Sequence, residues 1–133
     1  MSEFNLVIVT PDGIVYNGKA ESVIVRTISG DIGILSGHEP YTAPLSVGKA
    51  KIKIAGQWRN AACSGGVLSV DGDSTKLAPI TFEWADEIDV ERAENAVEKA
   101  QRIIDSSEDE QLVEKAQIKL HKALMRLDVV NNK

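Results

Sequence analysis

The chain has 133 residues, enough for one ordinary domain or a small domain with an appendage. Its 15 basic and 20 acidic side chains leave a formal charge of −5, which argues against nucleic acid or an anionic lipid surface as the main partner. One cysteine, Cys63, and two distant histidines, His38 and His121, support neither a disulfide framework nor a zinc site.

The start, Met1-Ser2-Glu3-Phe4, has neither a charged n-region nor an apolar h-region, and no window holds the roughly 18 consecutive apolar residues of a membrane helix. The sequence therefore predicts a soluble protein of a reducing, intracellular compartment. Phe4, Leu6 and Ile8 alternate with Asn5, Val7 and Val9 before the turn Pro11-Asp12-Gly13, which reads as a first strand. Short runs at 14–16 and 23–27 follow, separated by Asn17-Gly18.

Residues 30–40 place three glycines, a proline and two acids around a short apolar patch of Ile32, Ile34 and Leu35. That composition predicts a shaped loop between strands, either a sharp corner or a binding loop, with the corner favoured on spacing alone. Ala50, Ile52 and Ile54 then alternate with Lys49, Lys51 and Lys53 before Ala55-Gly56-Gln57. Further runs at 58–63, 67–70 and 76–82 are separated by Gly65-Gly66 and Asp71-Gly72-Asp73. Many short strands at regular spacing predict a β-sandwich or flattened barrel.

All ten glycines and all four prolines lie before residue 80, so the remainder is expected to be helical. Asp89 is the expected N-cap of a helix carrying Val90, Ala93, Val97, Ala100 and Ile104 at three- and four-residue steps. After the break Asp105-Ser106-Ser107, the pair Ser107 and Glu110 has capping-box spacing, and Leu112, Ala116, Leu120, Leu124 and Leu127 form the expected apolar stripe of a second helix. The short connection predicts an antiparallel hairpin folded at Ser106, its stripes packed on each other. The fold class is therefore β plus α: a sandwich over 1–84 and a helical hairpin over 85–133.

Two helices packed through alanine and a few leucines bury little, so the hairpin needs the sandwich or a partner. Residues 85–133 carry twelve acids and eight bases, net −4, against net −1 for 1–84. This charge suits a solvated face with same-helix pairs such as Glu98 with Arg102, or a surface that exchanges partners of different charge.

Gly30-Asp31-Ile32-Gly33-Ile34-Leu35-Ser36-Gly37-His38-Glu39-Pro40, the later Ser64-Gly65-Gly66-Val67-Leu68 and the acidic hairpin at the end together resemble the epsilon subunit of F-type ATP synthases. The resemblance covers essentially the whole chain. It implies a sandwich of ten strands at the foot of the central rotor, bound to the gamma subunit and the c-ring on the cytoplasmic face of a bacterial membrane. It further implies that Asp31 and His38 contact the c-ring, with Gly33 and Gly37 shaping the backbone between them. The hairpin would be a regulator that folds on the sandwich or extends along gamma toward the catalytic alpha and beta subunits, restraining ATP hydrolysis.

Some bacterial members bind ATP through a segment matched here by Ile88-Asp89-Val90-Glu91-Arg92-Ala93, residues that also fit an ordinary Asp-capped helix start. An antiparallel hairpin brings Asp89 and Arg92 toward Lys122 and Arg126. Arg92, Lys122 and Arg126 would neutralise a triphosphate, and Glu83 or Asp89 would accept hydrogen bonds from ribose or base. Lys99 and Lys122 stand where arginine appears in some ATP-binding members, and lysine lacks the bidentate fork. No Ser/His/Asp set, metal cluster or Walker-type loop is present in the sequence, so the expectation is a non-enzymatic subunit with no required cofactor and ATP as a regulatory ligand. The alternative is a free-standing nucleotide-sensing protein. A surface adhesion module is disfavoured by the absent signal peptide and the single cysteine.

Overall fold

The computed structural model describes residues 2–131. Ten strands precede two helices: β1 Phe4–Thr10, β2 Gly13–Ala20, β3 Ser22–Thr27, β4 Gly30–Leu35, β5 Tyr41–Pro44, β6 Gly48–Ile54, β7 Gln57–Ser64, β8 Val67–Asp71, β9 Ser74–Ala78, β10 Thr81–Trp84, then α1 Val90–Ser106 and α2 Glu110–Asn131. The strands form two five-stranded sheets, ordered β2-β1-β9-β8-β5 and β10-β7-β6-β3-β4. Neighbours are antiparallel except β1 and β9, which run parallel.

Strand alternation builds the core. Phe4, Leu6 and Ile8 of β1, Val23 and Val25 of β3, Ile52 of β6 and Leu77 of β9 are all buried in one cluster between the sheets. With few aromatics, branched aliphatic side chains fill most of this space, and Trp84 closes it at the end of β10.

Three readings of the strand region change. Asn17-Gly18 is not a separator: β2 runs through it, with Asn17 opposite Val7 and Gly18 opposite Leu6 of β1. The run at 76–82 is not one strand: β9 ends at Ala78 in one sheet and β10 starts at Thr81 in the other. Pro79 has no N–H to continue a ladder, and the Ile80 N–H donates to the Ser64 carbonyl at 3.0 Å, turning the chain between sheets. Gly66, at φ 81°, lies where a Cβ would strike the Ala78 carbonyl and Pro79, so this crossover requires glycine.

The expected loop at 30–40 is mostly strand. β4 pairs with β3 from Thr27↔Gly30 through Arg26↔Asp31 and Ile24↔Gly33 to Ser22↔Leu35, with Ile34 fully buried. Glycines are unfavourable inside strands, but here pairing and the inward Ile32 and Ile34 decide, leaving only 36–40 as connection.

The hairpin forms with different details. Asp89 caps α1 as expected, accepting from the Arg92 N–H at 3.0 Å. The cap of α2 is Asp109, whose Oδ1 accepts from the N–H groups of Gln111 at 2.9 Å and Leu112 at 3.4 Å. Ser107 instead ends α1, donating its N–H to the Ile103 carbonyl, and its Oγ accepts from the Asp109 N–H at 3.2 Å. The expected Ser107–Glu110 capping box is replaced because a carboxylate stands nearer the helix start.

The expected leucine stripe also shifts. Leu112 and Leu124 are 50% and 48% exposed, while Ala116 and Ala123 are buried and Val113, Leu120 and Leu127 half-buried. Repeated four-residue steps drift by about 40° each around a helix of 3.6 residues per turn, so the seam alternates steps of three and four instead. It meets Ala93 and Ala100 of α1, which are buried and, like Ala116 and Ala123, seven residues apart. Arg102 does not pair with the Glu98 carboxylate; its Nε reaches the Glu98 carbonyl at 3.4 Å.

Candidate functional site

The register of one sheet creates the surface on which the hairpin rests. Lys49 of β6 and Glu83 of β10 both pair with Ala62 of β7, giving a row that reads cation, methyl, anion. Ala61 points into the core, so Ala62 and its row face outward. α2 lays the complementary order upon it. Lys49 Nζ lies 3.0 Å from Asp128 Oδ2, Arg126 Nε donates to Glu83 Oε1 at 2.6 Å, and Val129 is fully buried against Ala62, Ala85 and Ile88.

Between α1 and α2 opens a groove of about 530 Å³. Its apolar lining is Ala96, Ala100, Ile103, Leu112 and Ala116, and its rims carry Arg92, Lys99, Lys115, Lys119, Lys122 and Arg126, with no carboxylate among the lining residues. Arg126 is engaged by Glu83; the other five cations make no side-chain ion pair among the described residues. In a chain of charge −5, six converging cations without a lining acid make an anion-receptive site. Lys122 and Arg126 also line a smaller adjoining cavity with Ser64, Thr81 and Glu83.

The structure thus brings Arg92, Lys99, Lys122, Arg126 and Glu83 together. Asp89 and Ile88 lie at the same end of the hairpin, but the Asp89 carboxylate is occupied as the α1 cap and Ile88 is buried under Val129. Lys115 and Lys119 escaped the sequence reading, although their four-residue spacing on one helical face was the available signal. The Lys49–Asp128 pair was unreadable because it joins residues far apart in sequence.

Asp31 and His38 are not brought together. Asp31, second residue of β4, holds Arg26 across the ladder at 2.7 Å, an interaction that raises the guanidinium above its ordinary range. His38 lies beyond the other end of the strand, about 13 Å of extended chain separating Asp31 from Leu35 alone. Its Nδ1–H donates to the Glu39 carbonyl at 2.7 Å, and its ring meets Tyr41 edge-on with centroids 6.1 Å apart. Gly37, at φ 80°, does shape the connection, but Gly33 has ordinary strand geometry with room for a side chain. Gly33 is therefore not required for loop shape, contrary to expectation.

Cys63 is buried, and burial pushes its thiol up to about 12. The free cysteine is thus an inert core side chain. Among the described residues no helix is long and apolar enough to cross a membrane, and no group of three metal-ligating side chains occurs.

Fold and groove together define a two-module protein: a ten-stranded sandwich carrying an anion-receptive helical hairpin. The chain belongs to the ATP synthase delta/epsilon chain family, matching its beta-sandwich domain over residues 3–85 and its long alpha-helix domain over 86–131. It is 37% identical over 133 residues to the ATP synthase epsilon chain of Caldicellulosiruptor saccharolyticus, covering 100% of this chain and 97% of that one. It is 43% identical over 125 residues to the ATP synthase epsilon chain of Bacillus velezensis, covering 94% and 95%. A chain in the Euglena gracilis mitochondrial ATP synthase OSCP/F1/c-ring structure shares the fold with a TM-score of 0.85 at 22% identity, over 99% of this chain and 83% of that one.

Proposed function

We propose that this chain is a regulatory subunit of the rotor, in which the sandwich joins the gamma subunit to the c-ring and the hairpin restrains ATP hydrolysis by changing position. It acts peripherally on the cytoplasmic face of a bacterial membrane and supplies no catalytic group. The observation that carries this reading is the small junction between hairpin and sandwich. It consists of two half-exposed ion pairs, Arg126–Glu83 and Lys49–Asp128, around a small apolar cluster in which Val129 is buried on Ala62, Ala85 and Ile88 with Met125 and Val130 partly buried beside it. Each pair is worth up to about 1 kcal/mol, and burying one valine about 1.5–3 kcal/mol. A difference of a few kcal/mol between docked and released forms is what a two-state element requires.

ATP is the proposed ligand of the docked form. Its triphosphate lies between Arg92 on α1 and Lys122 and Arg126 on α2, with Lys99 farther along α1, so binding ties the two helices together at their open end. Glu83, Ser64 and Thr81 offer hydrogen-bonding groups for the nucleoside. Release frees the hairpin to extend toward the catalytic alpha and beta subunits. Asp31 and His38 remain the proposed c-ring contacts, now as two separate points.

Deleting everything after Ile88 and reassembling the complex tests the regulatory role. Hydrolysis should rise and lose its dependence on ATP preincubation, while coupled synthesis persists through the sandwich. Unchanged hydrolysis would remove the hairpin from regulation.

A further inference from the structure

We infer that the interhelical groove accepts phosphate chains longer than a nucleoside triphosphate, with Lys115 and Lys119 holding the phosphates farthest from the sandwich. This deepens, and rests on, the reading of the groove as a nucleotide site. A triphosphate is matched by the cations nearest the open end, Arg92, Lys122 and Arg126, while Lys99 lies about two turns farther along α1, level with Lys115 and Lys119. Lys115 and Lys119 continue the same rim toward the hairpin turn and have no carboxylate partner among the described residues. From Arg126 to Lys115 the rim runs about 16 Å at 1.5 Å per residue.

Charge sets the direction of that chain. At the sandwich end Glu83 stands against Arg126 and repels further phosphates. At the other end the connection and the helix ends beside it carry Asp105, Glu108, Asp109 and Glu110, which bound the cationic stretch. Between them the groove is lined by Ala96, Ala100 and Ala116, where the helices pack closely, and by Ile103 and Leu112 toward the turn. A groove with an apolar lining below and cations along its rims suits a thin, evenly charged chain. It does not suit an acidic peptide, whose carboxylates stand on side chains and whose backbone polar groups need partners.

Titration calorimetry on the full chain tests this with ATP, adenosine 5′-tetraphosphate, a linear inorganic polyphosphate and polyglutamate. The wild type should bind the tetraphosphate about tenfold more tightly than ATP, since one further charge-assisted contact is worth at least that ratio. In Lys115→Gln/Lys119→Gln the tetraphosphate-to-ATP ratio should fall toward one, and polyphosphate should weaken about tenfold or more. ATP binding with no tetraphosphate preference would overturn the inference and leave the nucleotide site intact. Polyphosphate binding through Lys115 and Lys119 without any ATP binding would support the long-anion site and overturn the nucleotide reading. Polyphosphate binding indifferent to both lysines, tighter binding of polyglutamate, or no binding of any probe would overturn the inference.

Discussion

Arg126 of α2 donates through Nε to Glu83 of β10 at 2.6 Å, so a cation of the interhelical groove is also a fastener of the hairpin to the sandwich. Two functions meet at one guanidinium. Nε holds Glu83 while Arg126 also lines the groove, so in the proposed docked complex one guanidinium would serve phosphate and carboxylate together, coupling ligand and docking without a separate relay.

The first prediction isolates that fastener. Glu83→Gln keeps the side chain's size and removes its charge, at a site where an ion pair is worth up to about 1 kcal/mol. Amide exchange in the last turns of α2 should quicken about fivefold, while β1 and β9 keep their protection. Equal exchange in α2 would mean that the pair contributes nothing to docking.

A charge exchange examines the other fastener. Lys49→Asp and Asp128→Lys should each speed proteolytic release of the hairpin. The double variant should recover most of the loss, with a coupling of about 0.2–1 kcal/mol for such a half-exposed pair. Additive losses would show that Lys49 and Asp128 are neighbours without being partners.

Between the two pairs, Val129 is fully buried on Ala62, Ala85 and Ile88. Val129→Ala removes two methyl groups and should weaken docking by about 1–2 kcal/mol. In the reassembled complex the hairpin would spend more time released, so ATP hydrolysis should be lower at equal ATP. Unchanged or higher hydrolysis would break the proposed link between release and inhibition.

The readable parts of the sequence were those with unbroken periodicity. β1 announced itself through Phe4, Leu6 and Ile8, and the helical end through the absence of glycine and proline after Pro79. β4 was hidden because Gly30 and Gly33 dilute its alternation to Ile32 and Ile34, and its identity comes from pairing with β3. β5 is four residues long and ends in Pro44, too short for a pattern. Arg92, Lys122 and Arg126 were legible as a cluster because hairpin geometry follows from a short connection. The junction was not, since the row of Lys49, Ala62 and Glu83 depends on strand register that no local signal encodes.

Glycine substitutions distinguish register from loop shape. Gly66→Ala forces a Cβ into the Ala78–Pro79 backbone at positive φ and should destabilise the sandwich by about 3 kcal/mol or more, seen as a lower melting temperature. Gly33→Ala, with ordinary geometry and its nearest neighbour Ile24 Cγ1 at 4.0 Å, should stay within about 1 kcal/mol of wild type. A large loss at Gly33 would restore a shaping role that its backbone geometry denies.

The buried thiol gives the chain a dependence on alkaline pH. Burial raises Cys63 from an ordinary 9.0 to about 12, so the folded state holds a proton that the unfolded state releases. Its contribution is fully present below pH 9 and is lost as pH rises toward about 12. Within that window stability should fall by up to about 1.4 kcal/mol per pH unit through this group. Urea unfolding of wild type and Cys63→Ala at a series of pH values separates the effect, because the variant should lack this component of the slope whatever its absolute stability. At neutral pH the same burial should leave Cys63 unreactive to alkylating reagents until the sandwich opens, so labelling should track unfolding of β7 and not release of the hairpin. Identical alkaline slopes in the two proteins would show that the thiol remains protonated, or becomes charged, equally in both states.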